Sequence, residues 1–288
     1  MQAQTNKGDG TVVSLGLQKS FDTKAGLFDF NLGYTWQDVQ DTRSYNRFVA
    51  YETYAFDPQF DKENPDLAPS KFEVEDRITA NMIWRNEWFG DNTTTIGLSF
   101  AARSGRHFSY VFGSAGSQTF GGSTGAEFFF ESDNPGGQLF YVPTGTSDPI
   151  VTGDPDFLSD LDTFISGDSC LKGKRGTVVG RNACSTDWVS IFSLRLQQEI
   201  KMGDSAFDLF LDIENLGNLL NDDWGRVDSY TAPGNVVPAA AIGIDGSGAF
   251  ELVPGASYQG TPETIVSKPA IARIASAYRI QLGVRFRF

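Results

Sequence analysis

Apolar and polar residues alternate with a period of two along much of the chain. In one segment Phe28, Phe30, Leu32, Tyr34 and Trp36 are separated by polar or small residues. Six further segments alternate in the same way, and they begin at or near Val13, Arg77, Thr95, Phe192, Phe207 and Ile274. Because successive side chains of a strand point to opposite faces, the pattern predicts seven β-strands, each with one apolar and one polar face.

The connections between these predicted strands alternate in length. The first, third and fifth strands are followed by the short segments FDTKAG, FGDN and KMGDS. The second, fourth and sixth are followed by connections of about 41–70, 104–187 and 217–269. Structureless loops beyond about 12–15 residues are uncommon in compact domains. Outer-membrane barrels, in contrast, have short periplasmic turns and long extracellular loops.

We therefore expect an all-β fold, an antiparallel transmembrane β-barrel whose last strand runs from the outside to the periplasm. Its apolar face would contact outer-membrane lipid of a Gram-negative bacterium. The aromatic residues Tyr34, Trp36, Trp84, Trp88 and Trp188 fall near predicted strand ends, where such rings favour the membrane interface. A soluble β-sandwich with these rings in its core is the alternative.

Composition supports strands over helices and restricts the choice of function. The chain has 288 residues, 13% of them aromatic, with 31 glycines and a net charge of −13. This acidity argues against nucleic acid as a partner, because nucleic-acid binding needs a basic surface. Seven strands is an odd number and the N-terminus resembles no signal peptide. We therefore expect residues 1–288 to be the C-terminal part of a larger barrel.

Two cysteines, Cys170 and Cys184, lie in the longest connection. The polar segment between them contains no CxxC motif and no histidine, so zinc binding is disfavoured. We expect a disulfide that closes this part of the loop, which implies an oxidising compartment. Two free thiols in a cytosolic protein are the alternative.

Charged residues occupy the polar face of the last strands. Arginines of this face would pair with acids of the neighbouring strand, Asp208 among them, or contact a plug domain. Attraction of an anionic ligand is the alternative role. The predicted lumen-facing charges are Arg195, Asp212, Glu214, Arg279, Arg285 and Arg287, with Arg273 as a further arginine.

The sixth strand continues as FDLFLDIENLGNLLNDDWGRV, which resembles the penultimate strand and following loop of TonB-dependent outer-membrane receptors. The matching residues are Asn215, Leu216, Asn218, Asn221 and Trp224. The upstream segment GRNACSTDWVSIFSLRLQQEI resembles the Oar-like branch of that family, although Ser193 stands where aspartate is common. The terminal QLGVRFRF resembles the family's last strand and its C-terminal aromatic residue.

The resemblance implies a barrel of about 22 strands around a plug domain, of which this chain would supply about seven. It also implies TonB-dependent uptake of a saccharide, peptide or chelate. Phe286 and Phe288 would form the signal read by the barrel assembly machinery. A structural or adhesive surface barrel is the alternative function.

Candidate catalytic and metal-binding residues are few. His107 and Ser109 could serve an outer-membrane hydrolase, but no GxSxG or HExxH motif accompanies them, so we do not expect an enzyme. Acidic clusters could bind Ca²⁺, but no EF-hand loop is present, and we expect no cofactor. These clusters are Asp154, Asp156, Asp160 and Asp162, and Asn221, Asp222 and Asp223.

Two features of the long connections remain. The segment PDFLSDLDTFI has the spacing of a short amphipathic helix with Phe157, Leu161 and Phe164 on one face. The stretches at 44–60 and 107–130 are rich in Tyr, Phe, Ser and Gly. They would either recognise an extracellular ligand or pack on one another to cap the barrel.

Overall fold

The computed structural model describes residues 7–43, 57–61, 64–113, 138–230, 235–244 and 249–288. Seven long strands form one antiparallel sheet in which each strand pairs with the next along the chain. They are β1 (Asp9–Thr23), β2 (Gly26–Asp41), β3 (Asp76–Phe89), β4 (Asn92–Arg103), β5 (Val189–Met202), β6 (Ser205–Glu214) and β7 (Arg279–Arg287). A two-residue strand, Ala68–Pro69, also pairs with β2.

The three short connections are tight hairpin turns. Thr23 pairs with Gly26 and Met202 pairs with Ser205, so only two residues separate the strands at each of these turns. Gly90 and Gly203 have positive φ angles of 66° and 63°. Such turns favour glycine, because a left-handed backbone conformation costs it no steric strain. The short connections that the sequence predicted are therefore confirmed.

The register places the apolar residues of all seven strands on one face of the sheet. Leu15 is opposite Tyr34, and Leu211 is opposite Leu282. This face is nevertheless open: Leu15 is 65% exposed and Leu282 is 79% exposed. The sheet therefore presents a broad apolar surface that the described residues leave uncovered.

The hydrophobic core lies instead in the long connections. Its largest fully buried side chains include Tyr110, Phe140, Phe157, Leu161 and Ile165. Helix α1 (Pro155–Gly167) contributes Phe157, Leu158, Leu161 and Ile165, which confirms the predicted amphipathic helix. We refer to the described residues of the three long connections, from Thr42 to Glu75, from Ser104 to Trp188 and from Asn215 to Tyr278, as the loop body.

The loop body contains short elements besides α1. Its helices are α2 (Leu216–Leu220), α3 (Arg273–Ser276) and the 3-10 turn Pro262–Thr264. Its further strands are His107–Tyr110, Tyr141–Val142, Val151–Gly153, Thr177–Val178, Cys184–Ser185, Asp228–Ser229, Asn235–Val236, Ala239–Ile244, Phe250–Pro254 and Ala270–Ile271. The described residues of the long connections therefore contain several short helices and strands.

Pairing between short strands joins the three connections. The strand His107–Tyr110 pairs with Cys184–Ser185 and with Asn235–Val236, which belongs to the connection between β6 and β7. A single bridge joins Gln59, in the connection between β2 and β3, to Gln138. The three long connections thus fold together at one end of the sheet.

The architecture is therefore mostly β with an antiparallel sheet, as the alternation predicted. Strands β1 and β7 each have one neighbour, so the described strands form an open sheet and not a closed barrel. The start of the last strand was predicted near Ile274, which is wrong, because residues Arg273–Ser276 are helical and β7 begins at Arg279. Among the described residues, no helix has the length and apolar character needed to cross a membrane.

Candidate functional site

The polar face of the sheet is crossed by ion pairs between neighbouring strands. Arg195 on β5 lies 3.5 Å from Asp212 on β6, and Arg279 on β7 lies 2.5 Å from Glu214 on β6. The register sets these pairs, because Arg195 is opposite Asp212 and Glu214 is opposite Arg279. Opposite charges at facing positions stabilise a sheet by a few tenths of a kcal/mol up to about 1 kcal/mol.

Near the short turns the pairing departs from the simple cross-strand scheme. Asp208 is opposite Arg285, yet its carboxylate accepts a hydrogen bond from Arg287 at 3.0 Å. Arg287 also donates to Glu199 on β5 at 2.5 Å. Arg287 therefore connects three strands, because its side chain reaches diagonally across the register.

Arg273 was also expected on the polar face of the last strand. It lies in α3, one turn before β7, and so does not belong to the row of strand arginines. The apolar positions before it, at 270 and 271, form a short strand with Asp228–Ser229. The alternation in this region reflects the loop body and not a strand of the main sheet.

A cleft of about 60 Å³ lies where the loop body meets the sheet. Its lining combines cationic and aromatic side chains: Lys71, Phe72, Arg106, His107, Phe108, Thr186 and Tyr230. His107 lies 3.2 Å from the buried carboxylate of Glu73, which also accepts a hydrogen bond from the backbone N–H of Val39. Burial raises the pKa of Glu73, and the hydrogen bond from Val39 and the nearby His107 oppose that change.

The two residues considered for a hydrolase have separate partners. His107 contacts Glu73, whereas the hydroxyl of Ser109 lies 3.1 Å from the side-chain oxygen of Asn182 and accepts a hydrogen bond from the Asn182 backbone N–H at 2.9 Å. Ser109 is almost fully buried. A nucleophile needs contact with both its base and a substrate, so this arrangement gives the hydrolase hypothesis no geometric support.

Cys170 and Cys184 form a disulfide bond with their Cα atoms 5.7 Å apart. The bond connects the segment that follows α1 to the short strand that pairs with His107–Tyr110. The disulfide therefore links the end of α1 to the part of the loop body next to the sheet.

Several of the acidic residues considered as Ca²⁺ ligands bind groups of the protein. Asp154 caps α1 by accepting hydrogen bonds from the backbone N–H groups of Asp156 and Phe157. Asp160 accepts a hydrogen bond from the Tyr258 hydroxyl at 2.7 Å, and this bond, together with burial, raises the pKa of Tyr258 to about 12.

The other acids of these two clusters also have neighbours. Asp162 forms an ion pair with Arg175 at 2.7 Å. In the second cluster, the side chain of Asn221 accepts a hydrogen bond from the backbone N–H of Asp223, and the Asp222 backbone carbonyl accepts one from Asn218. Each acidic cluster thus has a structural role in its own loop.

The residues that resemble the receptor motif build a compact turn after β6. Asn215 has a left-handed backbone with φ of 52°, and its side chain donates to the carbonyls of Gly225 and Ser276 at 2.9 and 2.7 Å. Leu216 starts α2, and Asn218 donates to the Trp224 carbonyl at 3.1 Å. The turn therefore joins the end of β6 to the segment that precedes β7.

The aromatic residues of the apolar face cluster near the ends of strands. Trp84 and Trp88 have ring centroids 4.5 Å apart, beside the turn after β3. Phe286 contacts Phe207 at 4.8 Å and Phe288 at 5.9 Å between ring centroids. At the other end of the sheet, the exposed Trp188 directly precedes β5.

The aromatic stretches considered for ligand recognition are described only in part. Phe108, Tyr110 and Phe112 are buried in the loop core, where Tyr110 donates a hydrogen bond to Asp168 at 2.7 Å. Burial and this hydrogen bond raise the pKa of Tyr110 well above its ordinary value. Residues 44–56 and 114–130 of these stretches lie outside the described residues. For Phe108, Tyr110 and Phe112, packing within the loop body is the observed role.

The fold thus defines the protein as an all-β chain with one open apolar sheet face and a folded loop body. Comparison with family models, curated proteins and solved structures finds no significant match.

One feature of the polar face cannot be predicted from the alternation of residues along the chain. Arg77 on β3 lies opposite Arg103 on β4, and Arg106 follows at the base of the loop body. Arg77 and Arg103 belong to the alternating pattern, but their proximity depends on the register between two strands. A period of two assigns a residue to a face, and it does not say which residue stands opposite.

Proposed function

We propose that the chain is part of the wall and the extracellular loops of an outer-membrane β-barrel receptor. The observation that supports this proposal best is the position of the core. A water-soluble domain buries its large apolar surface, whereas this sheet leaves its apolar face open and the loop body has a core of its own. Lipid is the environment that favours such a face.

Two further features support a membrane sheet. All three long connections lie at one end of the sheet and all three tight turns lie at the other, as in outer-membrane barrels. Unpaired backbone groups in lipid are costly, so the outer edges of β1 and β7 would pair with further strands of a closed barrel. The ligand-binding part of the receptor would be the loop body and the polar face beneath it.

A matched pair of variants tests the membrane assignment. Leu282 and Gln281 are neighbours on β7 and point to opposite faces of the sheet. In phospholipid vesicles, Leu282→Arg should lower the free energy of unfolding by about 2–4 kcal/mol, because arginine would enter the hydrocarbon region. Gln281→Arg should change it by less than about 1 kcal/mol, since the polar face already holds arginines. Urea titration followed by tryptophan fluorescence gives both values.

A different result with these two variants would contradict the membrane assignment. If the apolar face contacts water, Leu282→Arg would leave the stability unchanged or increase it, and both variants would behave alike.

TonB dependence is tested separately, since the receptor proposal requires a plug domain and a TonB-binding segment encoded in the same gene. A gene without them would contradict the transport function while leaving the membrane assignment intact.

A surface role without energy coupling is the second candidate function. The observation that favours it is the folded loop body, which has its own core and disulfide and could present a rigid binding surface. An adhesive protein would mediate binding to cells or matrix equally well in strains with and without TonB. Uptake that is lost when TonB is deleted would contradict it.

A further inference from the structure

Two arginines face each other across neighbouring strands at the loop end of the polar face. Arg77 on β3 is the register partner of Arg103 on β4. Facing side chains in an antiparallel sheet have Cβ atoms about 4.5–5.5 Å apart, and like charges at such positions are destabilising. A third arginine, Arg106, lies close by, and the charged neighbours that act on Arg103 are Arg77 and Arg106.

The described residues provide no acid that neutralises this group. None of the ion pairs between described residues involves Arg77, Arg103 or Arg106. Elsewhere on the same face the arginines are paired: Arg85 contacts Asp29 and Arg195 contacts Asp212. The three arginines therefore lack the acidic partners that most arginines of this face have.

The nearby acids are engaged with other groups or exposed. Glu73 contacts His107 and the backbone of Val39, and Asp76 accepts a hydrogen bond from the Tyr34 hydroxyl at 2.6 Å. Glu75 is exposed, and it forms no ion pair with the three arginines within the described part of the chain. Arg77, Arg103 and Arg106 thus have no ion-pair partner among the described residues.

The cleft next to this group adds surfaces for the rest of a ligand. Arg106 is one of the residues that line it, so the arginine group borders the cleft. Phe72 is 71% exposed and Tyr230 is half-buried in the same lining. An exposed aromatic ring beside cations suits a ligand that has both an anionic group and a flat or sugar-like face.

We propose that Arg77, Arg103 and Arg106 form a binding site for an oxyanion, the phosphate or carboxylate group of a small molecule whose ring or sugar face stacks on Phe72. The neighbouring guanidinium groups supply several N–H donors, and guanidinium matches the geometry of phosphate and carboxylate. The position of this binding site at the mouth of a barrel lumen rests on the proposed function. The anion site itself rests on the described register and cleft.

Inorganic phosphate is the first probe. At constant ionic strength, replacing chloride with phosphate should raise the midpoint of thermal unfolding by about 2–4 °C, since a ligand that binds only the folded state stabilises it. The same measurement is made with acetate and with sulfate in place of chloride. A larger shift with phosphate and sulfate identifies a dianion site, and a larger shift with acetate identifies a carboxylate site. Equal midpoints in all four salts would overturn the proposal.

Two arginine variants locate the site. Arg103→Gln should abolish the phosphate-induced shift, while its midpoint in chloride should equal or exceed that of the unmodified protein, because the like-charge contact is removed. Arg285→Gln, also on the polar face but near the short turns, should keep the full shift. If Arg103→Gln fails to fold, Arg106→Gln in the loop base gives the same test. A phosphate shift that persists in these site variants would contradict the assignment.

The cleft is tested with phenyl phosphate. Its affinity should exceed that of inorganic phosphate about tenfold in the unmodified protein, and Phe72→Ala should remove this difference while leaving the affinity for inorganic phosphate unchanged. Equal affinities of both probes for the unmodified protein would refute the stacking role of Phe72. The matched variants Leu282→Arg on the apolar face and Gln281→Arg on the polar face do not depend on anions, so failure of this site and failure of the receptor proposal are distinguishable.

Discussion

Buried polar residues join separate segments of the loop body through hydrogen bonds. Asn215 adopts a left-handed backbone and donates two hydrogen bonds, one of them to the carbonyl of Gly225. Gly225 has a φ of 63°, and a Cβ there would come within 1.8 Å of the Asn215 side chain. Asparagine tolerates the left-handed region better than most residues. This combination explains why both residues occur in the turn after β6.

Asp57 is a buried carboxyl in the same loop body. Burial raises the pKa of Asp57 to about 6, although Arg181 and a hydrogen bond from Gln59 oppose this change. An aspartate in the unfolded chain has a pKa of about 3.9. Between these values the folded protein binds a proton that the unfolded chain does not, so stability should fall as pH rises from about 4 to about 6.

Replacing Asp57 tests this prediction. Asp57→Asn should flatten the pH dependence and raise the stability at pH 8 by about 1–3 kcal/mol, because a buried charge is removed. Urea midpoints at pH 5 and pH 8 measure both effects. Asp66→Asn changes an exposed aspartate in the same connection and controls for the loss of one negative charge. A stability of Asp57→Asn equal to that of the unmodified protein at both pH values would argue against the prediction.

Among the elements, α1 shows how local sequence and tertiary packing cooperate. Pro155 fits the first turn, Asp154 caps the free N–H groups, and the spacing of Phe157, Leu161 and Ile165 gives one apolar face. That face is buried in the loop core. Strand β7, in contrast, starts later than its alternation suggested, because Arg273–Ser276 continues the packing of the loop body as a helix.

Removing the cap of α1 should destabilise the loop body. Asp154→Ala deletes the acceptor of two backbone N–H groups and should cost about 1 kcal/mol of stability. Ser159→Ala, at an exposed position of the same helix, should change stability by less than about 0.5 kcal/mol. Hydrogen exchange of the helix amides measures the difference. Equal protection in both variants would show that the cap contributes nothing.

In the whole molecule, the sheet and the loop body are stabilised in different ways. The strands are ordered by continuous pairing from β1 to β7, while the loop body depends on its own core and on one disulfide. Three long connections carry a large entropic cost of ordering, which a covalent link reduces. Under the proposed function, contact between the exposed apolar face and membrane lipid would contribute to stability in a third way.

Breaking the disulfide should therefore affect the loop body more than the sheet. Replacing both Cys170 and Cys184 by alanine should cost about 3 kcal/mol, the entropy of closing a loop of this length. Hydrogen exchange should increase in α1 and in the strand Cys184–Ser185 and remain slow in β5 and β6. Uniform destabilisation of loop body and sheet would contradict the separation. Reduction of the unmodified protein with dithiothreitol controls for packing changes at Cys184.

The amino-acid pattern alone is enough to predict the seven strands, their two faces, the alternation of short and long connections and the helix α1. These features depend on local periodicity, turn residues and caps, which neighbours in sequence specify. Tertiary structure decided that the long connections share one core, that Arg287 and not Arg285 binds Asp208, and that Arg77 faces Arg103. Each of these depends on register or on contacts between distant segments, because residues far apart in the chain meet only when the whole sheet and loop body have formed.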